Sequence, residues 1–473
     1  MTSHIPSFPA DFVWGAGSSS YQIEGAVDAD GRGPSVWDVF CTRPGAVVGG
    51  ETGVHACDHY HRYQEDCAIM GRIGLKAYRF SVAWPRIFTD GTGTPNRAGL
   101  DFYSRLVDAM LAQGVQPWLT LFHWDMPQAL QNRGGWLNRD SVQWFTDYAA
   151  AVTSHLADRV GHWMTLNEPQ IYINLGHATG VHAPGLKLSM REQLLASHHT
   201  LMAHGSAVRA MRTAAKRPVQ IGWAPVGRVD YPVTEHPDNV AAARRSTFSV
   251  DKPGHWTNTW FADPVVFGHY PEDGLAYYGA AVPRIRSGDM EMMCPPLDFY
   301  GLNIYSGAPV RAGPTGQPEA VPHPPGMPLT AFRWPVTPEC LYWGPKFIAE
   351  RYKLPVVVTE NGMSNLDWPD VHEHVNDPQR IDFTRRYLLA LSRAVAEGVP
   401  VQGYFHWSLL DNFEWAEGYQ ERFGLVHVDY ATQKRTLKAS AHWYARVIAT
   451  GGASLVDGAV GATTVPKDAV VVN

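Results

Sequence analysis

The chain has 473 residues, of which 39 are Lys or Arg and 45 are Asp or Glu, so 18% of it is charged and the net charge is −6. No segment approaches the ~18 uninterrupted apolar residues of a membrane-spanning helix, and a pI near 6.4 without any Lys/Arg run lacks the electrostatic footprint of a nucleic-acid binder. Membrane and nucleic acid are therefore excluded as partners. A charged fraction below the ~25% of average domains implies much interior per unit surface, as in one large body.

Five cysteines (Cys41, Cys57, Cys67, Cys294, Cys340) are too few, and odd in number, for a disulfide-stapled secreted scaffold. The first residues, MTSHIPSFPADF, lack a basic stretch followed by an apolar one, and no Asn-x-Ser/Thr occurs. A cytoplasmic location is expected.

In chain order, short apolar or aromatic runs occur at Phe12 to Ser19, Ala77 to Trp84, Gln116 to Trp124 and His162 to Pro169. Four more lie at Val219 to Val226, Leu297 to Ser306, Pro355 to Gly362 and Val401 to Asp411. Helix-period segments separate them, such as Leu100, Tyr103, Leu106 and Met110 closed by Gly114, or Ile381, Tyr387, Leu388, Leu391 and Val395 closed by Gly398. Eight strand-like runs that are apolar throughout, each followed by a helix, predict a parallel sheet buried on both faces and closed into an α/β fold, the (β/α)8 TIM barrel.

The runs begin on average about 56 residues apart, against the ~31 that ~250 residues in eight units imply. The surplus belongs in the loops after the strands, which wall the active-site mouth, so a deep pocket is expected. Gly307 to Pro335 holds eight Pro and four Gly. Because the runs on both sides belong to one sheet, it reads as a long loop after the sixth strand rather than a domain linker. Residues 1–473 are thus expected to form a single catalytic domain, with a tail at 449–473 draped on the surface.

Two segments share one grammar, an apolar strand running into a carboxylate and then a chain-breaker: MTLNEP at Glu168 and VVVTENG at Glu360. Both carboxylates fall at C-terminal strand ends, where barrel side chains point into the loop-walled cavity. Two glutamates flanking one pocket are what glycosidic-bond cleavage needs, one to protonate the leaving oxygen and one to attack or to activate water. Position in the chain does not say which does which. The 17 Trp are more than a core accommodates without stranding indole N–H groups. Trp124 beside His123, Trp407, and Trp415 beside Glu414 stand at loop starts, and sugar rings stack on indoles while their hydroxyls bind carboxylates and amides.

The segments FVWGAGSSSYQIEGA, YRFSVAWPRI, LFHWDMPQAL, TLNEP, GLNIYS, VVVTENG and HWSLLDNFEWAEGYQERFGLV resemble family 1 glycoside hydrolases of the β-glucosidase type, from Phe8 to about Ile448. The resemblance implies a barrel that hydrolyses β-linked sugars with retention, through carboxyl groups about 5 to 5.5 Å apart. It makes Glu168 the general acid/base and Glu360 the nucleophile. Arg79 and Tyr305 match the groups that keep the nucleophile charged, and Asn167 matches the residue that binds the sugar 2-OH.

Gln22, His123, Trp124, Glu414 and Trp415 match the subsite for the non-reducing sugar, with Trp407 as a platform beneath it and Asn303 and Phe423 as lesser members. Trp334, in a loop that departs from the family pattern, is expected on the aglycone side. Relatives that cleave 6-phosphorylated sugars replace the Glu-Trp pair, so Glu414, Trp415 and Phe423 imply unphosphorylated β-glucosides and short oligosaccharides as substrates, with galactosyl and fucosyl units as further glycones.

His55, Cys57, His59, His61 and Cys67 crowd together, but their spacing matches no tetrahedral zinc pattern. With Glu65, Asp66, Tyr60, Tyr63 and Ile69 they read as an amphipathic helix entering the second strand, so no metal and no cofactor is expected. Lys76 stands at the wrong end of that strand for Schiff-base chemistry. A noncatalytic sugar-binding relative would be expected to lack one of the two glutamates. A transglycosylase would use the same site with an alcohol in place of water, and the sequence does not separate it from a hydrolase.

Overall fold

The computed structural model describes residues 8–252 and 254–457. Eight strands, β1 (Val13–Gly17), β2 (Ala77–Ser81), β3 (Gln116–Phe122), β4 (His162–Asn167), β5 (Gln220–Ala224), β6 (Tyr300–Asn303), β7 (Val356–Asn361) and β8 (Val401–Trp407), run parallel in the spatial order β5-β4-β3-β2-β1-β8-β7-β6. This is the expected (β/α)8 barrel, and each strand lies inside its predicted run. β1 pairs with both β8 and β2, so Gly17 faces Trp407 on one side and Arg79 on the other.

The barrel is nearly closed, with a seam between β5 and β6 bracketed by hydrogen bonds at both ends. At one end the Asp298 amide donates to the Ile221 carbonyl (2.9 Å); at the other, the Gly227 amide donates to the Asn303 carbonyl (2.7 Å).

Interior and exterior cores differ. Ala77, Trp118, Met164, Ala224, Phe299, Val357 and Phe405 form a separate cluster inside the lower barrel. Trp118 packs there against Phe405 and Phe299, with ring centroids 5.0 and 5.6 Å away. This floor blocks the barrel, so it is no pore and the space above it opens only at the strands' C-terminal ends. Outside, helix Arg97–Ala112 starts where the Asn96 side chain accepts from the Ala98 amide, and it buries Leu100, Tyr103, Leu106 and Met110 as its period predicts. Helix Met190–Ala214 opens with a capping box formed by Ser189 and Glu192.

The Pro-rich stretch after β6 is more regular than a loop. Gly307–Ala312 pairs with Val229–Pro232 from the loop after β5 and with Pro318–Ala320, making a three-stranded sheet beside the mouth. Its prolines masked the signal: Pro309 and Pro318 break the usual strand pattern yet sit in this small sheet. Of the predicted tail, Ala453–Val456 forms a short turn that buries Ser454 and Leu455. Residues 458–473 of that tail lie outside the described residues.

The His/Cys-rich segment forms the helix His59–Ile73. Asp66 is not on its solvent face: it is buried, takes a hydrogen bond from His59 Nδ1 (2.7 Å) and an ion pair from Arg435 (3.0 Å). The pattern missed this because Arg435 arrives from the far end of the chain.

A Cβ on Gly301 of β6 would overlap the Trp223 carbonyl oxygen across the seam and approach the Ala224 Cα to 3.2 Å. Backbone cannot yield as a side chain can. Gly301→Ala should therefore destabilise by about 2 kcal/mol or more in chemical denaturation; an unchanged midpoint would mean that the seam is not tightly packed.

Candidate active site

Every residue proposed for the site in the sequence lies in the upper part of the barrel or in the loops above it. Glu168 follows β4 directly, in a left-handed conformation (φ 45°) from which Pro169 starts a short helix, Pro169–Ile173. Trp124 (φ 76°) and Trp415 (φ 51°) share this strained geometry. Such a backbone costs about 1–3 kcal/mol per residue, and here it turns three side chains into one cavity.

That cavity encloses about 990 Å³. Its deep part is formed by His123, Trp124, Asn167, Glu168, Tyr305, Glu360, Trp407, Glu414, Trp415 and Phe423. Trp334 lies farther out in the same wall, beside Phe332. Gln22, Arg79 and Asn303 are fully buried and touch the lining from behind.

A single hydrogen-bonded chain joins the two carboxylates. Asn303 Nδ2 donates to Glu168 Oε1 and to Asn167 Oδ1, both at 2.9 Å. Arg79 Nη2 donates to that same Asn167 oxygen, and its Nη1 forms an ion pair with Glu360 Oε1. Tyr305 donates its hydroxyl proton to Glu360 Oε2 (2.7 Å), so each oxygen of Glu360 accepts a hydrogen bond. Arg79 is itself aimed by the Thr359 carbonyl (3.1 Å) and Thr120 Oγ1 (3.2 Å). Asn303 is oriented by Thr359 Oγ1, which donates to its carbonyl oxygen (2.6 Å).

The two glutamates differ electrostatically. Glu168 keeps its proton well above the usual carboxylate range, first because it is desolvated and next because the Glu360 charge opposes its own; the Asn303 hydrogen bond and Arg79 offset this only in part. His123 is held neutral by burial and by the Arg79 charge. Glu414 is pushed up to about 8, by burial and then by the charge of Glu360, and its nearest donor is Gln22 Nε2 at 3.4 Å. The deep pocket thus gathers three carboxyl groups around one guanidinium.

Aromatic rings complete it from two sides. Trp415 packs against Trp124 and Trp37, each 4.6 Å away, and His123 stacks near-parallel to Trp407 at 5.7 Å. Opposite, Tyr305, Phe332, Trp334 and Phe423 form a second cluster, with Trp334 5.1 Å from Tyr305. The Trp124 indole N–H is taken by the Asn167 carbonyl (3.0 Å), so it is not free to donate into the cavity.

Sequence reasoning did not find the outer wall. Ile171, Leu175 and Val181 line it from the connection after β4 and Val226 and Trp256 from that after β5, with Lys252 and His323 at its polar edge. No spacing marks them, since isolated apolar residues in loops look like any others. Among the described residues no group of His, Cys, Asp or Glu is arranged to hold a metal, and no helix is long and apolar enough to cross a membrane.

The family model "Glycosyl hydrolase family 1" matches residues 4–453. A 1,4-β-D-glucan glucohydrolase of Thermotoga neapolitana is 43% identical over 95% of this chain and 99% of its own length. β-Glucosidase A of Thermotoga maritima is 42% identical over 95% and 99%. A T. maritima β-glucosidase, solved with glucoimidazole and with a galacto-hydroximolactam, superposes with a TM-score of 0.86 at 41% identity, covering 95% of this chain and all of that one. The chain belongs to glycosyl hydrolase family 1.

Proposed function

We propose that this family 1 member is a retaining β-glucosidase, releasing terminal non-reducing β-D-glucosyl units from glucosides and short oligosaccharides through a covalent glycosyl-enzyme. The observation that carries this is the pairing of two unlike glutamates in one cavity, Glu168 buried and proton-retaining, Glu360 ion-paired to Arg79. In the first step Glu360 attacks the anomeric carbon while Glu168 gives its proton to the departing oxygen. Esterification removes the Glu360 charge, the largest of the charges that made Glu168 hold its proton. Glu168 is then the better base, and takes a proton from the water that attacks the same carbon and frees Glu360.

Asn167, oriented by Arg79 and Asn303, is placed to bind the sugar 2-OH, a contact that strengthens as the ring flattens toward the oxocarbenium-like transition state. Tyr305 steadies Glu360. Gln22, His123, Trp124, Glu414 and Trp415 hold the glycone over Trp407, Asn303 and Phe423 support it, and Trp334 faces the aglycone. The carboxyl groups around Glu414 repel a phosphate dianion, which favours unphosphorylated sugars. That the T. maritima neighbour was solved with both gluco- and galacto-configured ligands supports galactosides as further substrates, and the name of the T. neapolitana relative supports short β-1,4-glucans. Five unpaired cysteines, four of them buried, support a cytoplasmic setting.

A 2-fluoro glucoside with a good leaving group should trap the intermediate on the peptide that contains Glu360; a label elsewhere refutes the assignment. Glu360→Ala should lose about five orders of magnitude in kcat on every substrate. Glu168→Ala should spare aryl glucosides with acidic leaving groups far more than cellobiose, because such leaving groups need no proton. Equal losses on both would remove Glu168 from the acid role.

Glu168 and Glu414 bind protons in the folded state that the unfolded chain has already released, so stability falls as pH rises from the ordinary 4.5 toward about 8. Glu414→Gln should therefore gain stability over the parent progressively across that window, by about 1 kcal/mol or more at its upper end, while its KM for glucosides rises. Urea unfolding at a series of pH values reads the difference, and a pH-independent gap would contradict it.

A further inference from the structure

The outer wall of the substrate cavity carries an aromatic ring that no step of the reaction described above uses. Trp256 lines the cavity, yet 46% of it is exposed. The residues beside it are buried and held. His255 donates from Nε2 to Gln193 Oε1 (2.8 Å), Thr257 is buried, and Asn258 donates from Nδ2 to the carbonyls of Arg228 (2.7 Å) and Thr247 (2.8 Å). The Trp256 carbonyl itself accepts from Arg228 Nη1 (3.3 Å). Only the indole is left to project, from a backbone that is fixed on both sides. A single exposed apolar side chain is ordinary, but Trp256 shares this wall with Val181, which is also exposed, and with Ile171, Leu175 and Val226. The apolar surface therefore runs from inside the cavity out to its mouth, as a ligand-binding surface does.

The other rings fix its place along the cavity. Trp334 lies 5.1 Å from Tyr305, which bonds Glu360, so Trp334 is one ring removed from the catalytic carboxylates and meets the first unit of a leaving group. Among the described residues, Trp256 pairs with neither the Trp334 cluster nor the Trp124 and Trp415 cluster. It is exposed where Trp334 is half-buried, and so stands nearer the mouth. The cavity, at about 990 Å³, is at the upper end of the roughly 300–1,000 Å³ of small-molecule pockets, which suits a ligand longer than a glycone with one leaving unit.

His323 narrows the chemistry. It comes from the loop after β6 and lines the same cavity, and its Nδ1 is buried without a hydrogen-bond partner among the described residues. A purely apolar leaving group would shed water from this zone and leave that nitrogen unpaired, which is costly. A sugar covers an indole with its C–H face and brings hydroxyls that an imidazole nitrogen can bond.

We propose, on the β-glucosidase reading above, that Trp256 is the platform for a second leaving-group sugar and that His323 bonds one of its hydroxyls, so that the enzyme acts on β-linked trisaccharides in preference to disaccharides. Binding energy gained this far from the scissile bond is present in the transition state as well, and so appears in kcat/KM.

Initial rates on cellobiose, cellotriose and nitrophenyl glucoside test this, with octyl glucoside as a long apolar comparison. For the parent protein kcat/KM should be about tenfold higher on cellotriose than on cellobiose, with glucose and cellobiose as the first products of cellotriose. Trp256→Ala should bring the ratio of the two to within about twofold of unity, and Trp256→Tyr should keep most of it. Turnover of nitrophenyl glucoside reports that each variant folds. His323→Leu should lower cellotriose turnover severalfold and spare octyl glucoside. A parent ratio near unity, a ratio unchanged in Trp256→Ala, equal losses on every substrate in that variant, or an equal loss on octyl glucoside and cellotriose in His323→Leu would each overturn the proposal. The parent comparison needs no variant, and stands if one does not fold. A parent protein inactive on nitrophenyl glucoside and on both oligosaccharides would instead refute the β-glucosidase reading, and this proposal with it.

Discussion

The site depends on one guanidinium. Arg79, 1% exposed and in the middle of β2, is the cation that acts on both Glu360 and Glu168. Removing a charge from water is costly unless partners replace the hydration, and Arg79 is fully partnered: Glu360, Asn167, the Thr359 carbonyl and Thr120. The barrel makes this possible. Strands β2, β3, β4 and β7 each contribute one of these five groups or two, and closure of the sheet into a barrel brings them together. The consequence is an asymmetric pair of glutamates, since only one of them has the guanidinium as a direct neighbour.

A second set of buried charges holds the wall opposite. Asp367, Asp377 and Asp411 interlock with Arg380, Arg422 and Lys438, three negative groups with three positive ones. Buried ion pairs of this kind are weak evidence for stability, but they are directional. Here they grip the backbone on both sides of Phe423: Arg380 Nη2 donates to the Arg422 carbonyl (2.7 Å), and the Gly424 amide donates to Asp411 Oδ1 (2.9 Å). Phe423 in turn lies within the ring cluster of Tyr305 and Trp334. The aromatic face presented to a sugar is thus set by electrostatics a layer below it.

The cavity has two regimes. Its depth is ringed by polar side chains and aromatic rings together, which suits recognition of one sugar with fixed hydroxyls. Its outer part is mainly apolar with a polar edge and is assembled from loops of unrelated sequence, which suits a leaving group bound largely by shape and surface.

By itself the sequence determined the barrel, the strand ends and the two glutamates, because these follow from local rules: apolar runs bounded by helices, and a carboxylate followed by a chain-breaker. Resemblance to a known family then attached roles to Gln22, Asn167, Tyr305 and Trp415 that no spacing implied. Only the tertiary structure decided what depends on residues far apart in the chain. Asp66 is buried because Arg435 meets it, and the prolines after β6 form a small sheet because the loop after β5 lies alongside. Charge pairing across such separations leaves no period and no motif, since a Coulomb interaction depends on distance in space and not on position along the polymer.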